Sequence, residues 1–423
     1  MIKTTCQAMT RRGFLKGVTA AYPVLRVAAA PYVVPASALA AEGRPAPSNR
    51  ITMGFVGVGG QGTGDMQGFM QFPEVQNVAV CDVDRRHRLR AKEIAAEHYA
   101  KQKAGGTFKG CDEHVDYREL CARPDIDAVF CATPDHWHAL VTCEAMRNGK
   151  DVYCEKPESL TVREGRIMVD TARRYARVFS GGSQRVWGDY NWYHRMMWAG
   201  ACGDLQEVWV HVGGPSNEML RPAEEVPEWM DWDKWLGPAP WRPYNKAYHP
   251  YNWRGCRDFS GGNMTDWGAH HVGGALFAAQ LFDKPLPVEV VPPSKGVGLT
   301  LKYANGVQIH LEGPWRDGPL IFKGTLGEVP DRRGTRIPPP PISIPNYKGR
   351  GGIFGDFLHC VKTRERPFRD IEWAHRTVAA CHLANICYWS GRGFKFDPVK
   401  EEIVGDEELN RWIDRPKRPP YTL

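Results

Sequence analysis

The cluster Gly57-Val58-Gly59-Gly60-Gln61-Gly62, which closes the apolar run Ile51 to Val58, constrains the fold more than any other feature of the chain. A strand that ends in glycines and passes at once into a helix needs a tight turn, room for a ligand at the backbone, and close packing of helix on strand. Asp65 to Phe72 supports that helix, whose N-terminus would favour a phosphate through its free amides and dipole. Glycines alone also fit a flexible turn, so the residues that follow decide between the two.

Those residues alternate. Val75 to Val80 is a second apolar run, ending at Cys81-Asp82, and Arg85 to Tyr99 has the pattern of an exposed helix. Asp125 to Ala132 reads as a strand ending at Thr133-Pro134, and helical residues from Ala139 to Asn148 lead through Gly149 to the strand Asp151 to Cys154. Glu155-Lys156-Pro157 follows directly. The series predicts a parallel sheet with helices on both faces and a dinucleotide at the carboxyl edge of its strands. Asp82 is placed to accept hydrogen bonds from the adenosine ribose hydroxyls, which favours NAD, while Arg85 and Arg86 leave NADP open. His136 and His138, two apart, would share one face of an extended segment. No further ligand lies near them in sequence, so no metal site is expected, and hydrogen bonding to cofactor or loop is the preferred role.

With 423 residues the chain exceeds one ordinary core, and two domains are expected. The net charge of +7 is misleading: five of the 55 basic residues lie in the first forty positions, and without them the balance is 50 to 48. That near-neutrality gives no electrostatic case for nucleic acid. Thr10-Arg11-Arg12-Gly13-Phe14-Leu15-Lys16, a moderately apolar stretch and Ala38-Leu39-Ala40 read as a twin-arginine signal peptide over residues 1–40. The expectations are passage through the twin-arginine translocase, a periplasmic or otherwise exported protein, and no membrane span in the mature chain; a basic disordered tail is the alternative. Twelve cysteines without a Cys-x-x-Cys pair read as buried thiols.

The series above, continued by Gly261-Gly262-Asn263-Met264-Thr265-Asp266-Trp267-Gly268-Ala269-His270, resembles the Gfo/Idh/MocA oxidoreductase family from about Asn49 onward. The resemblance implies an α/β fold with a Rossmann dinucleotide-binding domain over 49–182. A substrate-binding α/β domain with a large, mostly antiparallel sheet and a C-terminal arm would fill 183–423. It implies a sugar, polyol or glycoside substrate held between the two, and a homo-oligomer. Carried over residue by residue, it makes Lys156, Asp266 and His270 catalytic. Gly57, Gly59, Gly60, Gln61, Gly62, Asp82, Thr133, Pro134, His138, Glu155, Lys156 and Gln184 would then serve the cofactor. Arg185, Trp253, Arg254 and His271 are the substrate neighbours. Ten of the fifteen tryptophans fall between Trp187 and Trp267, and most read as packing.

Asp266 and His270 are four apart, so on one helix they share a face. Oxidising an alcohol needs a base for the hydroxyl proton, and Lys156 could instead lower the hydroxyl pKa, stabilise the alkoxide or relay the proton. Three functions remain open: net oxidoreduction, a redox-neutral glycosidase that oxidises transiently, and a non-catalytic nucleotide-binding protein. Export of a folded protein away from soluble NAD argues for a tightly bound cofactor. Asn305-Gly306 marks a hairpin within Leu299 to Leu311, Arg332 to Pro345 an extended proline-rich connection, and Gly355 to Ser390 helix. Arg415 to Leu423 reads as an arm lying against the same chain or another subunit.

Overall fold

Strand β1 (Ile51–Val56) is central to a six-stranded sheet in the computed structural model, which describes residues 49–250, 252–295, 297–311, 320–330, 337–345 and 350–423. The twin-arginine segment and the start of the proline-rich connection lie outside these residues. The other strands are β2 (Val75–Cys81), β3 (Asp112–His114), β4 (Ala128–Cys131), β5 (Asp151–Cys154) and β6 (Phe179–Gly181). Their order is β3-β2-β1-β4-β5-β6, every pair parallel. The order reverses between β1 and β4, which opens a crevice at the carboxyl edge.

Helix α1 (Gly60–Met70) starts inside the glycine cluster, upstream of the expected Asp65, because the turn itself is the first helical turn. Low helix propensity at its glycines is overcome by packing. Phe69 meets Phe130 at 5.9 Å, Tyr153 at 5.3 Å and Phe354 at 4.3 Å between ring centroids, anchoring α1 on β4, β5 and a later helix. Helix α2 (Arg85–His98) is capped by Asp84, whose carboxylate accepts the Arg86 amide. Helices α3 (Asp135–Arg147) and α4 (Val162–Arg174) follow β4 and β5.

The second sheet has eight strands: β7 (Leu205–Val210), β8 (Glu289–Val291), β9 (Thr300–Lys302), β10 (Gln308–Leu311), β11 (Leu320–Gly324), β12 (Gly327–Val329), β13 (Phe394–Asp397) and β14 (Glu402–Val404). Its order is β12-β11-β7-β10-β9-β8-β13-β14, antiparallel except between β7 and β10. The β9–β10 hairpin turns at Asn305-Gly306, where Gly306 takes a φ of 89°. One face of the sheet is covered by α5 (Asn263–Asp266), α6 (Gly268–Ala278) and the far end of α8 (Ile371–Ser390), while α7 (Gly352–Thr363) packs on the first domain. Helix α8 joins the layers: Ile371 and Ala374 lie in the core of the first sheet, Ala379 to Cys387 in that of the second. All eleven cysteines among the described residues are buried and unpaired.

Phe69→Ala is expected to cost about 3–5 kcal/mol in urea unfolding, as deletion of a buried ring does. Phe69→Leu is expected to keep most of that stability. Equal midpoints for Phe69→Ala and the parent would show that the ring cluster does not anchor α1.

Candidate active site

The glycine turn is fixed by sterics. Gly57 has a φ of 80°, and a Cβ there would lie 2.6 Å from the Thr133 nitrogen. A Cβ on Gly62 would lie 1.9 Å from the Gly57 carbonyl oxygen. Beyond Gly59, by contrast, a Cβ would meet nothing nearer than the His87 ring at 3.6 Å, and no side chain caps α1. This open, uncapped helix start fits a pyrophosphate. Beside it Asp82 is pinned by two amides, Val58 N–H to Oδ2 and Asp84 N–H to Oδ1, each at 2.9 Å. Each oxygen retains a lone pair for a ribose hydroxyl. Arg86 is turned elsewhere: Asp84 holds it at 2.8 Å and its guanidinium lies 3.3 Å from the Trp229 ring centroid.

One cavity is lined by Gly57, Gly59, Gly60, Gln61 and Gly62, by Asp82, by Thr133 and Pro134, and by His138, Glu155 and Lys156. Trp253 and Arg254 reach it from the second domain. Gln61 donates to both oxygens of Asp65 at 3.0 Å, and the His138 ring nitrogens lie 2.8 Å from the carbonyls of Thr133 and Pro157, to one of which the ring N–H donates. Gln184 and Arg185 are exposed outside the cavity, with Arg185 paired to Asp189 at 2.6 Å. His271 bonds to the His211 carbonyl and packs on Tyr190, also outside it.

Lys156 Nζ, at the cavity wall, meets Asp266 Oδ1 at 2.5 Å, with Arg254 Nε 3.6 Å from the same oxygen, while Asp266 and His270 stand behind the lining and are not part of it. Asp266 and His270 do not share one helix: α5 ends at Asp266, α6 begins at Gly268, and Trp267 joins them in a helical conformation. The pair therefore keeps one-turn spacing while Asp266 reaches Lys156 and His270 reaches Ser183. Ser183 Oγ donates to the Ala269 carbonyl at 3.0 Å and lies 2.7 Å from His270 Nδ1. A hydroxyl has one proton to give, so when Ser183 donates it to the Ala269 carbonyl, Nδ1 carries the imidazole proton and Nε2 is the acceptor. Burial, then the charges of Lys156 and Arg185, push the His270 imidazole down to about 2.

Three carboxyls around Lys156 move the other way. Burial lifts Asp135 to about 7 and Asp65 to about 6, and burial together with Asp65 raises Glu155. Asp135 lines the cavity and accepts from Ser260 Oγ at 2.6 Å. It lies in the motif that drew attention to its histidines, and only its place at the start of a helix, unread in the sequence, brings it inward. That same helix separates the histidines: residues two apart diverge by about 200° around an axis, so His136 bonds to the Trp235 carbonyl at 3.0 Å and does not share a face with His138. Two clusters combine potential metal ligands, Cys131 with His138 and Cys154, and Asp84 with His87 and His249. In the first, His138 is already held by two carbonyls, and in the second Arg86 occupies Asp84 as its cation.

Residues 51–183 match the family described as "Oxidoreductase family, NAD-binding Rossmann fold", and residues 203–423 match "Oxidoreductase family, C-terminal alpha/beta domain". The chain belongs to the Gfo/Idh/MocA oxidoreductase family. Among curated proteins, this family member is 36% identical over 124 residues to an alpha-N-acetylgalactosaminidase of Shewanella oneidensis, covering 29% of this chain and 26% of that relative. A glycosyl hydrolase family 109 protein of Shewanella baltica matches at 35% over the same length, so the similarity spans about a quarter of these relatives. Among solved structures, an aldose-aldose oxidoreductase of Caulobacter crescentus shares the fold at a TM-score of 0.53 and 16% identity, covering 82% of this chain and 100% of that one. A myo-inositol dehydrogenase of Sinorhizobium meliloti, described as putative, does so at 0.52 and 19%, covering 82% and 99%.

His270 is expected to stay neutral as the protein is acidified from pH 7 to pH 5, since its folded value lies far below the ordinary 6.5. Nitrogen-15 NMR of histidine-labelled protein, assigned with a His270→Gln variant, reads this directly. A His270 signal that titrates near 6.5 would contradict the buried geometry.

Proposed function

We propose that this protein oxidises a hydroxyl of a sugar, polyol or glycoside on a tightly held NAD. The observation that carries the reading is the contact of Asp266 with Lys156, which lines the same cavity as the glycine turn. Bound NAD supplies the acceptor for the hydride that leaves the alcohol carbon. Gly57 to Gly62 and Asp82 would hold its pyrophosphate and ribose. The Asp82 carboxylate disfavours a 2′-phosphate, and Arg86, committed to Asp84 and Trp229, offers no compensating charge. Lys156, oriented by Asp266, donates to the substrate oxygen and stabilises it as alkoxide. His270 Nε2 accepts from the hydroxyl and orients it. Its weak basicity leaves the hydroxyl proton to Lys156, which takes it up as it passes one of its own protons to the Asp266 carboxylate.

A second reading is a redox-neutral glycosidase, in which transient oxidation precedes elimination, hydration and re-reduction. Two observations favour it: the curated relatives carry glycosidase names, and Asp135 places a carboxyl near 7 in the same cavity, suited to protonating a leaving group. The twin-arginine-like segment supports export of the folded protein with its cofactor aboard. The family resemblance supports self-association through the second sheet.

Purified protein without added cofactor, given a panel of p-nitrophenyl glycosides and free sugars, separates the readings. Growth of absorbance at 340 nm with free sugars, and no aglycone release, is expected for net oxidoreduction. Aglycone release without any second redox substrate supports the glycosidase, and a protein that holds NAD yet transforms nothing is a nucleotide-binding module. On whichever substrate turns over, Lys156→Ala and His270→Ala are each expected to lower turnover by about 10²–10⁴ with NAD content retained. Near-parental turnover in both variants rejects these catalytic roles.

A further inference from the structure

The cavity does not stop at Asp82. Away from Lys156 it continues past Tyr117, which follows β3, and Trp137 on α3, to a residue near the end of the chain, Tyr421. The Trp137 ring stands 5.5 Å from Tyr117 and 5.1 Å from Tyr421, both edge-on, so three aromatic rings converge where a base attached to a ribose at Asp82 would project. Tyr421 is buried although it belongs to a terminal arm.

The arm is clipped at two points. Arg415 Nε meets the buried Glu164 at 3.0 Å while its Nη2 donates to the His136 carbonyl at 2.9 Å, which fastens it to the first domain. Three residues on, Arg418 meets Asp233 Oδ1 at 2.5 Å and donates to the Asp233 and Gly237 carbonyls at 2.8 and 2.9 Å. The segment it grips contains Lys234 and Trp235, which line the same cavity. Lifting the arm withdraws both Arg415 and Lys417, the latter 3.6 Å away, and leaves Glu164 as a buried carboxylate without a cation, so the closed position is favoured.

We infer that Tyr421, with Trp137 and Tyr117, forms an adenine subsite, and that the arm bearing it is the bolt that keeps the dinucleotide from exchanging. The inference rests on the reading of this cavity as the NAD site. Base stacking on an aromatic ring tolerates small changes in the ring but not its loss. Release of the base then requires Tyr421 to move, and Tyr421 moves only when the Arg418 clip opens.

The full chain is purified, its NAD content measured after acid denaturation, and exchange followed against excess NAD carbon-14-labelled in the adenine ring. Tyr421→Ala is expected to exchange about tenfold faster than the parent, the loss of one stacking face, and Tyr421→Phe to behave as the parent. Arg418→Ala, which leaves every ring in place, is expected to speed exchange as well and carries the test should Tyr421→Ala fail to fold. Parental exchange rates in the folded variants overturn the bolt while leaving the nucleotide site standing. A parent that contains no NAD and takes none up removes the nucleotide reading, and this inference with it.

Discussion

The contact between Lys156 and Asp266 joins residues 110 positions apart, one at the end of β5 and the other on the layer covering the second sheet. Both side chains are mostly shielded, at 15% and 16% exposure, so neither charge is fully solvated without the other. The pairing therefore specifies how the two sheets stand relative to each other as well as where a substrate oxygen would lie. Helix α8 supports the same registration from behind, since its two ends belong to different cores. The Ser260–Asp135 bond and the bonds of His136 and Trp137 to the Trp235 carbonyl tie the two domains together at the cavity as well.

Around that pair the charges are arranged by burial. Water exclusion drives the His270 imidazole toward its neutral form and Asp65, Glu155 and Asp135 toward theirs, leaving Lys156 and Asp266 as the ion pair in close contact. Asp266 is therefore the one carboxylate that competes at close range for the Lys156 ammonium, and under the proposed chemistry a substrate oxygen would share that ammonium with it. The opposed shifts also bear on acid stability. A buried neutral histidine favours the folded state at higher pH, whereas a buried neutral carboxyl favours it at lower pH, so between about pH 4 and 6 the one His270 shift opposes the shifts of Asp65, Asp135 and Glu155 without cancelling them.

What the sequence made legible was local. Gly57, Gly62 and Asp82 could be read because a strand, a turn and a helix lie within thirty residues and their sterics depend on near neighbours. Lys156 could be read from its order in the series. Less accessible were features set by where a helix begins. The early start of α3 parts His136 from His138 and turns Asp135 inward, and the junction at Trp267 sends Asp266 and His270 to different partners. Gln184 and Arg185, exposed, and His271, buried against Tyr190, do not line the cavity, a position outside the lining that Asp266 and His270 share. Tyr421 had no signal of its own, because Trp137, on which its ring packs, lies almost three hundred positions earlier and only the folded chain brings them together.

The position of the arm in the chain has a consequence for biosynthesis. Each other wall of the cavity, from Gly57 to Arg254, leaves the ribosome before Arg415 does. Since domains form as their segments emerge, the glycine turn and the rings of Tyr117 and Trp137 are in place while the last wall is still absent. If the arm closes a dinucleotide site as inferred above, a dinucleotide would meet a more open groove during synthesis than afterwards, and loading would be easier before the arm is seated than exchange is later.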